Sequence, residues 1–196
     1  MEKTTQGKAA YLSRTEAAKI RSFLTLESHK LLWDIARYTG ERWGAIIQLK
    51  ITDVWSDPKR GYLRDKIIFP RETRKHSAGK IPEPREVEIH TELHRTLSAY
   101  KPGDHGWLFP SPPDPMKHIT LRSCDKFLRR AVKLADLSKK KISTHSTRRS
   151  FITDLARNGV DRRIIKELTG HKSYEVLDQY IVSDPQDRRR ALATLH

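Results

Sequence analysis

Residues Ser143–Tyr180 read STHSTRRSFITDLARNGVDRRIIKELTGHKSYEVLDQY. Their spacing predicts two short helices and a tyrosine beyond them. Ser143 or Thr144 supplies an oxygen able to cap the first helix. His145 and Arg148 then stand at i and i+3 and share a face. That face continues through Ile152 and Leu155, apolar residues suited to a core. The His and the Arg therefore open a buried stripe at a helix N-terminus, where free N–H groups and the helix dipole receive an anion. Arg149 lies about 100° round the helix and is expected to face elsewhere. Gly159 ends this helix. Asp161 opens the next, and Ile164, Ile165 and Leu168 give it a buried face. Gly170 closes it and releases His171, and Tyr180 follows nine residues later.

These side chains share one chemical logic if the target is a phosphate. A guanidinium holds nonbridging oxygens with a fork of donors. Imidazoles donate or move protons near neutral pH. A phenol can attack phosphorus and leave a covalent intermediate. A basic helical bundle with a capped helix and a core tyrosine would account for any one of them. The set in this order calls for a common target.

Bulk properties agree with a polyanionic partner. The chain has 196 residues, 39 Lys and Arg against 24 Asp and Glu, a formal charge of +15 and a pI near 10.1. That length suits one domain with a real core. Such an excess of positive charge points first to nucleic acid. Cys124 is the single cysteine, so no intrachain disulfide framework exists. No apolar run is long enough to span a membrane, and MEKTTQGKAAYLS lacks the apolar core of a signal peptide. The expectation is a soluble protein of the cytoplasm.

Upstream, residues 1–12 read as a flexible tail and 13–196 as one domain. Ser13 and Glu16 form a capping box opening a helix through about Leu26, with Ala17, Ile20, Phe23 and Leu24 inward. A second helix is predicted from Ser28 to Thr39, with Leu31, Leu32, Ile35 and Ala36 inward and Gly40 as its stop. A third is predicted from Arg42 through ERWGAIIQLKITDV, with Ile46, Ile47 and Leu49 in the core. The pattern then changes to short β-like runs at Tyr62–Leu63, Lys66–Phe69 and Glu86–Ile89. Arg71–Pro84 is a long basic hairpin loop whose Lys75, His76 and Lys80 are placed to meet phosphates. A helix over Thr91–Tyr100 brings His90 and His94 to i, i+4 spacing, but HTELH is not HExxH and no third ligand accompanies it, so no metal is expected. Lys101–Pro115 is a Pro/Gly-rich connection. Ile119–Leu137 is a basic helix with Phe127, Leu128, Ala131, Val132 and Leu134 on its core side. Lys139, Lys140 and Lys141 form a basic loop, and a last helix begins near Pro185.

These residues resemble the catalytic domain of the tyrosine recombinases, also called the phage integrase family. The family's Thr-Gly-x-Arg box appears as Thr39-Gly40-Glu41-Arg42. Its His-x-x-Arg box appears as His145-Ser146-Thr147-Arg148. Its Leu-Gly-His segment appears, altered, as Leu168-Thr169-Gly170-His171, and the nucleophile falls on Tyr180. The resemblance runs from about Leu12 to the end. It implies an α+β fold, mainly α-helical with a small antiparallel β-sheet. It implies site-specific recombination of double-stranded DNA without cofactor, metal or ATP, through a 3′-phosphotyrosyl intermediate.

The resemblance also implies roles. Arg42 and Arg148 bind the phosphoryl oxygens, His145 assists proton transfer, and His171 hydrogen-bonds the phosphate. Lys75 protonates the leaving 5′-oxygen, with Lys80 the alternative. Lys80, Lys139, Lys140, Lys141 and Arg149 are candidate DNA contacts. A monomer in solution, a homotetramer on two DNA sites, accessory DNA-bending proteins and a nucleoid location complete the expectation. The chain departs from the family in having Ala45 where an acidic residue is usual, three after the first Arg; Glu41 or Asp53 can compensate. It also lacks room for the usual N-terminal helical domain, so it resembles short stand-alone members or a piece of a longer protein. A DNA-binding regulator that keeps the fold, and a type IB topoisomerase, are the competing readings.

Overall fold

Two helices that meet at one glycine set the frame. The computed structural model describes residues 9–73, 83–181, 189, 192 and 193. Helix α1 (Arg14–Ser22) opens with the expected capping box, in which Ser13 and Glu16 satisfy each other's backbone N–H groups. It ends earlier than predicted, because the chain turns extended at Leu26 to enter α2 (Glu27–Thr39). Leu31, Leu32, Ile35 and Ala36 of α2 are buried as the periodicity requires. Gly40 stops α2 with φ +61°, and a Cβ there would lie 2.3 Å from the ring of Phe151. Only glycine serves both the left-handed turn and this close approach.

The predicted third helix is mostly absent. Helix α3 spans only Trp43–Ile46, and a single 3-10 turn follows at Ile51–Asp53. Asp53 takes the Lys50 N–H at 2.7 Å, while Leu49 and Ile51 bond to the backbone of Leu108 and Gly106. These cross-chain bonds outcompete helix continuation in a segment rich in β-branched residues. Ile46, Ile47 and Leu49 are nevertheless buried as expected.

Among the described residues the strands form three two-stranded antiparallel sheets: β1 (Trp55–Asp57) with β2 (Tyr62–Leu63), β3 (Lys66–Phe69) with β4 (Arg85–Glu88), and β5 (Pro110–Ser111) with β6 (Asp114–His118). In the second pair Phe69 faces Arg85, so an arginine stands at the end of the hairpin. The third pair begins in the predicted Lys101–Pro115 connection and runs beyond it to His118; its two-residue first strand carries too little alternation to be read. Helix α4 (Thr91–Ala99) starts after His90, whose Nδ1 accepts the Glu92 N–H at 3.1 Å. His94 is engaged with the Ser98 hydroxyl at 3.3 Å. Helix α5 (Leu121–Leu134) buries Cys124, Leu128, Ala131 and Val132, whereas Leu134, expected inside, is exposed.

Helices α6 (His145–Arg157), α7 (Arg162–Thr169) and α8 (Tyr174–Asp178) complete the described part. The large core joins α1 to α5. A small second core of Ile152, Ile165 and Leu177 binds α6, α7 and α8, with Phe151, Leu155 and Tyr180 against it. Ile164, predicted inside, is 38% exposed. Residues 9–12 are not a loose tail. Leu12 is fully buried, its N–H bonds Ser150 Oγ at 2.8 Å, Ala10 N bonds the Lys141 carbonyl, and the Tyr11 hydroxyl donates to Asp154 at 2.9 Å. The last predicted helix, from Pro185, falls largely outside the described residues. No described helix is long and apolar enough to cross a membrane.

Candidate active site

Three turns bring the site together. Gly40 delivers Glu41 and Arg42 from the end of α2. Gly170, with φ +63°, delivers His171 from the end of α7. The end of α8 delivers Tyr180, whose N–H bonds the Leu177 carbonyl and whose carbonyl takes the Thr153 hydroxyl at 2.9 Å. Helix α6 passes behind all three and contributes Arg148.

Arg148 is fully buried. Its Nη1 donates to the Gly40 carbonyl at 2.7 Å and its Nη2 to the Thr169 carbonyl at 2.7 Å. One side chain thus ties together the turns that carry Arg42 and His171. Nη2 also lies 3.2 Å from His171 Nε2. The Arg148 Nε is buried with no hydrogen-bond partner among the described residues. The centre of the guanidinium is 6.0 Å from the centroid of the Tyr180 ring, and the His171 and Tyr180 rings are 5.3 Å apart. Burial, then the charge of Arg42, lowers the Arg148 pKa; Glu41 opposes this. Burial and the charges of Arg148, Arg42 and Arg85 push His171 down to about 3, so its ring is neutral.

The structure therefore joins Arg42, Arg148, His171 and Tyr180. It does not place His145 on the same inward face as Arg148: His145 is exposed on the first turn of α6. Helix geometry puts i and i+3 about 60° apart, and the boundary between core and solvent runs between them. The His145 N–H is capped by Ser143 Oγ at 3.3 Å, and Thr144 makes no side-chain cap. Arg149, expected to face elsewhere, is half-buried, and burial lowers its pKa. Lys139, Lys140 and Lys141 are exposed, and Lys140 pairs with Glu16. Lys75, His76 and Lys80 lie outside the described residues.

Three participants escaped the sequence pattern in whole or part. Glu41 is fully buried; its Oε1 takes the Arg42 N–H at 2.8 Å and lies 3.9 Å from Arg148 Nη1, and its Oε2 pairs with Arg85. It sets a buried carboxylate beside Arg148 where Ala45, itself buried, carries none, whereas Asp53 accepts the Lys50 N–H. Arg85 also donates to the Leu168 and Thr39 carbonyls. It comes from a distant strand, and nothing local in PREVE marks it. Thr169 bonds to His171 and to Ile165 within its own turn. Among the described residues no group of His, Cys, Asp or Glu is arranged to hold a metal.

The sequence model of the phage integrase family matches residues 11–187. The chain belongs to the phage integrase family. Among curated relatives, a tyrosine recombinase XerC of Halalkalibacterium halodurans is 36% identical over 78 residues, 40% of this chain and 25% of the relative. A tyrosine recombinase of Thermosipho africanus is 30% identical over 79 residues, 40% of this chain and 28% of that one. The aligned stretches thus span only about a quarter of those relatives. The XerA recombinase crystal structure superimposes with TM-score 0.72 at 23% identity, covering 98% of this chain and 65% of that chain. The catalytic domain of bacteriophage HP1 integrase gives 0.62 at 21% identity and covers 96% of both chains. These likenesses fix the architecture as the tyrosine recombinase catalytic fold, mainly helical with small antiparallel sheets.

Proposed function

We propose that this chain is the catalytic domain of a site-specific tyrosine recombinase that cuts and rejoins DNA through Tyr180. One observation carries the reading: a fully buried, carbonyl-anchored Arg148 lies against both a neutral His171 and the ring of a half-buried Tyr180. A buried cation held for structure alone is costly. A buried cation beside a nucleophile is preorganised for an anionic transition state. The relatives' names and the DNA-bound neighbours, XerH on its difH substrate and lambda integrase on a core site, support DNA as the partner.

In this reading the Tyr180 oxygen attacks the scissile phosphorus. The O–P bond forms, the bond to the 5′-oxygen breaks, and a 3′-phosphotyrosyl link remains. Arg42 and Arg148 balance the charge on the nonbridging oxygens. His145, at the exposed mouth of α6, assists proton transfer, and Lys75 or Lys80 protonates the leaving 5′-oxygen. A 5′-hydroxyl from a second strand then reverses the step. The link conserves the bond energy, so neither ATP nor a metal is required. Four protomers on two DNA sites would complete an exchange.

Nicked duplexes that lose a short fragment on cleavage test this. The expected result is an SDS-resistant protein–DNA adduct that Tyr180→Phe abolishes while DNA binding persists. Binding without adduct would favour a regulator that keeps the fold; relaxation of plasmids regardless of sequence would favour topoisomerase chemistry.

A further inference from the structure

A buried hydroxyl inside a helix ordinarily donates to a carbonyl of its own helix. Thr39, Ser150 and Thr169 are fully buried and do so, each to the carbonyl four residues before it, at 2.6, 2.8 and 2.6 Å. Thr153, fully buried within α6, does not. Its hydroxyl turns out of its own helix and donates to the Tyr180 carbonyl at 2.9 Å, across 27 residues. Helix α8 has only five residues, and the carbonyls at a helix end need partners from outside it. The Tyr180 N–H reaches back to the Leu177 carbonyl at 2.9 Å, which ties the residue to α8. The Thr153 bond ties it to α6, the helix that carries Arg148. That helix is braced in turn at the next residue, where Asp154 accepts from Arg37 at 2.6 Å and from the Tyr11 hydroxyl at 2.9 Å.

We propose that Thr153 is a positioning residue that holds the Tyr180 backbone against α6 and so sets the reach of the phenol toward the phosphate at Arg148. The proposal rests on the recombinase reading for its consequence in catalysis. The guanidinium and the nucleophile then answer to one braced helix. Arg148 is fixed through the Gly40 and Thr169 carbonyls, and Tyr180 through the Thr153 hydroxyl. The Tyr180 side chain is only half-buried against the small core of Ile152, Ile165 and Leu177, so apolar packing alone leaves it room to move. In-line attack does not tolerate such movement, since a displacement of about 1 Å costs about 100-fold in rate. The tether removes this freedom at the backbone and leaves the phenol oxygen itself unengaged by Thr153.

The test begins without DNA. Fluorine spectra of the full chain carrying 3-fluorotyrosine report each tyrosine, with Tyr180 assigned by its loss in Tyr180→Phe. In the wild type its signal is expected to stand apart from the position it takes in the urea-unfolded chain. Thr153→Val, nearly isosteric, is expected to move it toward that position while keeping a cooperative thermal transition, and Thr153→Ser to leave it in place. Thr153→Ala is run alongside, as a second variant without the hydroxyl should the valine fail to fold. In single-turnover cleavage of the nicked duplex, well below the melting temperature, the folded variant lacking the hydroxyl is expected to fall about 10- to 100-fold. Its affinity for DNA should be unchanged, and Thr153→Ser should cleave near the wild-type rate. A role in stability alone would lower the melting temperature and leave the Tyr180 signal and the cleavage rate unmoved. Either an unmoved signal or an equal rate in that folded variant overturns the proposal. A wild type that never forms an adduct would sink the recombinase reading, while a Tyr180 signal that still responds to Thr153→Val would leave the tether standing.

Discussion

At the scale of single residues, the site is a balance of buried charge. Arg85 and Arg148 share the Glu41 carboxylate, with Arg42 adding a further positive charge beside them. The surplus is positive, as an anionic ligand requires. Removing one partner of such a pair leaves the other buried and unpaired, at about 3–5 kcal/mol. Glu41→Gln and Arg85→Met should each lower the unfolding free energy by roughly that amount. The double variant should cost clearly less than the sum, as denaturant unfolding of all four proteins would show. Full additivity would mean the two groups stabilise the fold separately.

His171 makes a pH prediction of defined sign. Its folded pKa is depressed to about 3, below the unfolded value of about 6.5. Between these values the unfolded chain binds a proton that the folded chain refuses. Stability should therefore fall as pH drops from about 6.5 toward 3, and His171→Gln should flatten that slope in urea titrations at stepped pH. The residue types were legible in the sequence, because Arg42, Arg148, His171 and Tyr180 stand in recognisable boxes. Their partners were not: Arg85 meets the site across 44 residues from Glu41 and 83 from Leu168. No local pattern encodes such a contact.

At the scale of elements, the turns matter more than the helices they end. Gly40 and Gly170 were readable as stops because helix periodicity breaks at a residue that tolerates positive φ. The extent of α3 was not readable, since its apolar residues suit the core equally as helix or as irregular chain. The hairpin of β5 and β6 was missed for want of length. The segment Ala9–Leu12 reads as tail because four residues behind a polar run are too few to show a periodicity; long-range bonds to Lys141, Ser150 and Asp154 hold it. Leu12→Ala should therefore destabilise the protein by about 2–5 kcal/mol, the range for a buried leucine, measured by chemical denaturation. A cost near zero would mean the strap does not contribute to the fold.

At the scale of the whole molecule, the charge of +15 should dominate DNA affinity. Log K should fall linearly with log salt, with a slope near −0.9 for each phosphate neutralised. Lys139→Ala and Lys141→Ala, exposed on one loop, should each reduce the slope by about 1 if they meet the backbone. Lys140→Ala should change it less, because Lys140 is already paired with Glu16. Fluorescence anisotropy across a salt series separates these outcomes. Equal effects of all three would mean that DNA displaces Glu16. Net charge was plain in the composition, and it is what points to the polyanionic partner proposed above. How that charge is divided between site, surface and internal pairs depends on the fold.

The measurement that bears most directly on the central claim is the identity of the linked residue and DNA end. An adduct formed on a nicked duplex, digested with protease and nuclease, gives a nucleotide-bearing peptide for mass spectrometry. The account predicts the peptide containing Tyr180, joined to the DNA through a 3′-phosphate. A link to Tyr174, Tyr11 or any other residue, or a bond to the 5′ end, would contradict it.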